Sequence, residues 1–134
     1  KDLNNWDIQS AEIDSTYGIH DLYFLVKCPE NSDKYILNID SWKLEIFSSC
    51  MIPAISFSNN HNCTKNIKYT HVDQIIDGSY ICFKNIDLTN AIAIDINMDS
   101  PNGPNLIEVH IDSWESSIWC SKMKIVKIMK RIIC

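Results

Sequence analysis

"AIAIDINMDSPNGPNLIEVHIDSW", residues 91–114, is the stretch on which the fold turns. Its two halves alternate apolar and polar side chains with a period of two, the signature of strands with one face buried. The link between them, Ser100 to Asn105, holds two prolines and a glycine, which bar a helix and favour a chain reversal. The spacing predicts a hairpin of residues 91–99 against 106–114.

Working outward, the same period recurs in "YFLVK" (23–27), "KYILNIDSWKLEIF" (34–47), "MIPAISFS" (51–58), "SYICFKNIDL" (79–88) and "SSIWCSKMKI" (116–125). Turn chemistry separates these runs at "CPENSDK" (28–34), "NNHNCTKN" (59–66), "IDGS" (76–79) and "DSPNGPN" (99–105). Helical spacing is confined to the tail, where Ile125, Met129, Ile132 and Ile133 would share a helix face; yet Met123 and Ile125 also alternate with Lys122 and Lys124, so a strand competes there. The fold class expected is all-β, a two-sheet antiparallel sandwich.

At 134 residues and 46 % hydrophobic, the chain suits one domain with one core. No run of 18 apolar residues marks a membrane-spanning helix, so no transmembrane segment is expected. Residue 1 is Lys rather than Met and no charged-then-apolar leader follows it, the pattern of a mature chain, so a secreted, extracellular protein is expected. The cysteines point the same way: Cys28, Cys50, Cys63, Cys82, Cys120 and Cys134 are dispersed, with no CxxC pair, which favours disulfides over zinc. Six cysteines allow 15 pairings, and spacing does not choose among them. Asn62-Cys63-Thr64 is a glycosylation sequon suited to the same compartment.

Charge is unevenly placed. The chain carries 12 Lys/Arg against 17 Asp/Glu, but five of the basic residues fall in "SKMKIVKIMKRIIC" (121–134), which has no acid. A basic strip therefore follows an acidic body. The plainer reading makes those lysines the solvated face of an element whose Met, Ile and Val side is buried; the alternative is a surface for anionic glycans or lipid headgroups. Overall acidity argues against nucleic acid as a partner.

Two longer stretches carry a resemblance. "DGSYICFKNIDLTNAIAIDINMDSPNGPNLIEVHIDS" (77–113) resembles the opening half of a family-six carbohydrate-binding module, a galactose-binding-like jelly-roll sandwich. "GIHDLYFLVK" (18–27) followed by "YILNIDSWKLE" (35–45) resembles the closing half of the same module. The closing half stands first. Residues 1–46 thus correspond to the end of the module, 47–120 to its beginning and 121–134 to an added basic tail, as in a circular permutant or a piece spanning two tandem modules. Such a chain is expected to fold as one permuted domain or as a strand-exchanged dimer, with Lys1 and Cys134 close together, since domain termini are often neighbours.

The resemblance implies a lectin whose partner is a glycan. Sugar binding needs an aromatic ring for the C–H face of a pyranose and planar polar groups for its hydroxyls. Trp6 stands where the family has a ring before its "HDLY" strand, and Asn38 matches its asparagine. A second ring is less clearly placed: Gln74 falls nearest, with Tyr69 or His71 as alternatives. A one-ring site would be weak and would gain from dimerisation. His20 and Asp21 read as structural, and Trp42, Trp114 and Trp119 as core or sheet-face residues. The family also implies a structural calcium, for which Asp40, with Glu45 nearby, is the surviving ligand; Pro53 and Ile55 stand where two glutamates would be, which weighs against the ion, and no other cofactor is expected.

No GxSxG elbow, HExxH helix, P-loop or GxGxxG occurs, and the four histidines have no nucleophile at diagnostic spacing, so no enzyme activity is expected. Carboxylates such as Asp112 and Glu115 are not distinguished from surface acids. Besides the lectin, two readings stay open: an assembly protein on the same sandwich, and a membrane-active protein using the basic tail.

Overall fold

The structure, a computed structural model, describes residues 6–12, 17–27, 37–46, 51–99, 105–112 and 123–128. The strands are β1 (Asp7–Glu12), β2 (Ile19–Lys27), β3 (Leu37–Leu44), β4 (Ile52–Pro53), β5 (Asn59–His61), β6 (Thr64–Asn66), β7 (His71–Ile75), β8 (Tyr80–Asp87), β9 (Ala93–Asp99), β10 (Asn105–Ile111) and β11 (Met123–Ile128). They form two antiparallel sheets. Sheet A runs β1-β9-β3-β7-β6, with β4 also on β3, and sheet B runs β11-β10-β2-β8-β5. The expected all-β sandwich is what the chain adopts.

Alternation decides which side of each strand is buried. In sheet A, Leu37, Ile39, Trp42, Leu44, Val72, Ile75, Ile94, Ile96 and Met98 turn inward; in sheet B, Leu22, Phe24, Val26, Ile81, Phe83, Ile107 and Val109 do. Together they make one core. At its centre the Trp42 ring meets Phe24 and Phe83 at centroid separations of 5.2 and 5.1 Å, and those two lie 5.3 Å apart. Trp42 comes from sheet A and its partners from sheet B, so three rings in tilted and edge-on contact bolt the layers together.

The 91–114 stretch is not a hairpin. β9 pairs with β1 and β3, whereas β10 pairs with β2 and β11 in the opposite sheet. A hairpin would lay both apolar faces side by side in one sheet. As built, Ile94, Ile96 and Met98 of β9 and Ile107 and Val109 of β10 share the core between the sheets. Alternation reported the two strands and their buried faces, but it is blind to which strand each one bonds. Sheets stack only about 10 Å apart, a gap well within the reach of the five residues between Asp99 and Asn105.

Other expectations need adjusting. β5 and β6 lie inside the predicted turn 59–66, and β1 and β7 were not expected as strands. β1, "DIQSAE", is an edge strand with little apolar content, held by its register on β9. In β7 the alternation breaks at Gln74, whose φ of 57° marks a bulge against β3. The run 51–58 yields only the two residues of β4 and a single 3-10 turn, Ala54–Ser56. The tail resolves its ambiguity toward the strand: Met123–Ile128 pairs along β10. Ile76–Ser79 is the predicted turn, closed by Ser79 N–H donating to Ile76 O at 3.0 Å, with Gly78 at φ 88°, the third-position conformation a type II turn demands.

Two of the six cysteines fall among the described residues, and neither is bridged: Cys63 and Cys82 are free thiols. They lie on opposite sides of sheet B. Cys63 packs toward the core, where burial pushes its thiol up to about 11, while Cys82 sits on the outer face beside Tyr23. Bridging these two is therefore corrected; Cys28, Cys50, Cys120 and Cys134 lie outside the described residues, as do Lys1, Trp114 and Trp119. β1 and β11, the first and last described strands, pack against each other at one edge of the sandwich.

Strand β2 is clasped to the end of β10. His20 Nε2 faces Tyr17 O at 2.8 Å and Nδ1 faces Asp112 Oδ2 at 2.9 Å, both pure acceptors, so the ring satisfies both only when doubly protonated. Its pKa is accordingly raised, first by the Asp112 hydrogen bond. Asp21 completes the clasp by accepting from Asn85 N–H, and the structural role expected of both residues holds.

Two measurements check this fold. Trp42→Ala is expected to lower the unfolding free energy by about 3–5 kcal/mol in urea titration. Trp42→Phe, which keeps a ring and discards an indole N–H without a hydrogen-bond partner, should cost only about 1–2 kcal/mol; equal losses would deny the interlock its central role. The His20 clasp contributes stability in full below pH of about 6.5, the unfolded value, and loses it as pH rises through the raised native value. Asp112→Asn should flatten that part of the stability-against-pH curve, and an unchanged slope would remove the clasp from the account.

Candidate functional site

Strand register draws one row across the outer face of sheet A. Asp7 pairs with Met98, which brings Trp6 beside Asp99; Asp99 pairs with Asn38; Asn38 faces the bulge at Asp73 and Gln74; Asp73 pairs with Thr64. Trp6 and Asn38 are thus separated by one strand, roughly 10 Å at usual strand spacing. The indole is half-buried and its ring lies 5.5 Å from that of His71, edge-on, although β9 and β3 stand between β1 and β7. It therefore reaches over this end of the sheet rather than into the core.

His71 is buried, and on its other side the Tyr69 ring stacks at 6.2 Å with planes 17° apart. Tyr69 itself is 61 % exposed at the tip of the β6–β7 hairpin. Asn66 holds that tip in place: its Oδ1 accepts from Tyr69 N–H at 3.1 Å and its Nδ2 donates to Asp73 Oδ2 at 2.9 Å. Thr70 follows at φ 57°, the left-handed turn that lets four residues close the hairpin. Lys68 Nζ sits 5.2 Å from the centre of the Tyr69 ring.

Two polar side chains lie between the rings and β3. Asp99 is 5 % exposed, yet among the described residues no hydrogen bond or ion pair reaches its carboxylate. The Asn38 amide beside it, half-buried, is likewise without a described partner. Asp99 and Asn38 thus stand side by side on the outer face, in the register row that Trp6 begins.

Of the four residues expected to hold sugar, Trp6 and Tyr69 are joined through His71, and Asn38 lies in the Trp6 row. Gln74 is drawn to the edge instead, where its Oε1 accepts from Thr64 Oγ1 at 3.3 Å. Asp99 escaped sequence reasoning because alternation alone marks it as one more surface acid. Asp40, the expected calcium ligand, accepts from Ser41 Oγ at 2.9 Å and Asn97 Nδ2 at 3.4 Å. Glu45 pairs with Asp95, whose carboxyl hydrogen bond raises the Glu45 pKa. Among the described residues no three His, Cys, Asp or Glu side chains converge as a metal site. Asn62 is exposed at φ 56° in the crossing from β5 to β6, with its Nδ2 3.2 Å from His61 Nε2.

Asp112 is committed to the His20 clasp, and Glu115 lies outside the described residues. On the outer face of sheet B, His110 Nε2 donates to Glu108 Oε1 at 2.9 Å, with Lys27 Nζ 3.7 Å from the same oxygen, and His110 Nδ1 is buried without a hydrogen-bond partner. Neither group presents a nucleophile and base to a shared open space.

Compared with protein-family models, with curated proteins and with solved structures, the chain matches none of them.

The brace at the hairpin tip can be tested by itself. Asn66→Ala leaves the Tyr69 amide and the Asp73 carboxylate without their common partner and should cost about 1–2 kcal/mol. Amide exchange at Tyr69 should accelerate; protection equal to that of the native chain would show that the tip holds without Asn66.

Proposed function

We propose that this protein is a lectin, binding a glycan on the outer face of sheet A across Trp6, Asn38, Asp99 and Tyr69. The observation that carries the reading is the row that register draws on the outer face of sheet A, Trp6 next to Asp99 and Asp99 paired with Asn38, with the Trp6 ring against His71 and Tyr69 beyond it. A pyranose offers C–H edges to an indole and hydroxyls to a carboxylate and an amide. The proposal includes the ancestry suggested by the sequence, a permuted family-six module, and with it a secreted chain glycosylated at Asn62. It assigns the protein no catalytic step.

The site is shallow, so affinity for a single sugar is expected to be modest and to rise with multivalent display or dimerisation. The basic tail supports a membrane-active reading less well, because its described part is bonded to β10 as the edge of sheet B.

A glycan array of neutral and amino-substituted oligosaccharides tests the reading. The native chain should be retained on a subset of them. Trp6→Ala should lose about tenfold or more in affinity with a melting temperature within a few degrees of native. A native chain bound to no glycan would reject the lectin and favour the assembly protein.

A further inference from the structure

The β6–β7 hairpin presents apolar and basic side chains together at its tip. Ile67, Lys68 and Tyr69 follow one another there, with Ile67 67 % and Tyr69 61 % exposed, so two large side chains flank a cation. The stretch 59–72 carries two lysines, Lys65 and Lys68, and no Asp or Glu, although the whole chain has 12 Lys/Arg against 17 Asp/Glu. Both ammonium groups are held near rings: Lys65 Nζ lies 4.5 Å from the centre of the Phe57 ring and Lys68 Nζ 5.2 Å from that of Tyr69. This hairpin is therefore a basic, apolar-tipped projection on an acidic body.

Its turn is also paired from within. Tyr69 N–H donates to Asn66 Oδ1 at 3.1 Å, and Tyr69 O accepts from Thr70 Oγ1 at 2.6 Å. Backbone groups already paired leave water at little cost, whereas open ones carry a full desolvation penalty. A braced tip has little conformational freedom to lose on docking. A sulfated polymer would engage the lysines and leave Ile67 in water. A lipid surface engages both, with the isoleucine at the acyl boundary, the tyrosine at headgroup level and the ammonium groups beside phosphates. We propose that the β6–β7 tip is a docking surface for a membrane of anionic lipids. Because the rest of the chain is acidic, charge alone does not hold it there, and the insertion of Ile67 is part of the contact. The proposal goes beyond the lectin reading and does not involve the basic tail.

Co-sedimentation of the full chain with two kinds of vesicle decides the matter, one of phosphatidylcholine alone and one with about 30 % phosphatidylserine added. At about 0.1 M salt the native chain should partition about tenfold or more in favour of the serine-containing vesicles. Ile67→Asp and Lys68→Glu should each reduce that partition about tenfold or more. Both positions are exposed, so the melting temperature of each variant should stay within a few degrees of native. A native chain that sediments with neither vesicle, or equally with both, overturns the proposal. Partition unchanged in Ile67→Asp overturns it too, by placing the contact elsewhere on the chain. Retention on heparin without vesicle binding replaces the lipid with a sulfated polymer.

Discussion

Three aromatic rings from three strands hold this molecule together. Trp42 of β3 reaches from sheet A into the space between Phe24 of β2 and Phe83 of β8. β3 lies between β9 and β7, and β2 lies between β10 and β8, so the ring cluster joins the middle strand of each sheet. Because β2 and β3 are each flanked on both sides by strands from further along the chain, neither part of the sequence can bury its apolar faces alone. The contact that closes the core also fixes the topology.

The outer face of sheet A follows from that arrangement. Once β3 and β9 turn Ile39, Trp42, Ile96 and Met98 inward, alternation sends Asn38, Asn97 and Asp99 outward. Trp6, one residue before β1, shares the outward phase with Ser10, whose hydroxyl donates to Asp95. The site is thus assembled from β1, β9, β3 and the β6–β7 hairpin without any long loop. The paired strands set the spacing between the ring and the polar row.

The two outer faces differ in character. The core is aromatic and aliphatic and draws on both sheets. The His20 clasp and the Glu108–His110 pair belong to sheet B, whereas the row of Trp6, Asp99 and Asn38 belongs to sheet A. Changes on the outer face of sheet A therefore leave the interlocked rings intact.

The period of two, the turn residues and the count of apolar positions were enough to determine an all-β sandwich, most of its long strands and the placement of Trp42 in the core. Trp6 and Asn38 were singled out by the resemblance to a family-six module, with Tyr69 as an alternative to Gln74 for the second ring. Pairing was beyond the reach of such patterns: alternation specifies which side of a strand is apolar, not which neighbour accepts its hydrogen bonds, so 91–99 and 106–114 read as a hairpin although they lie in opposite sheets. Short strands such as β5, β6 and β7, and the polar edge strand β1, take their conformation from their partners rather than from their own residues. The same holds for Asp99, a surface acid by sequence, which the meeting of β1, β9 and β3 leaves only 5 % exposed.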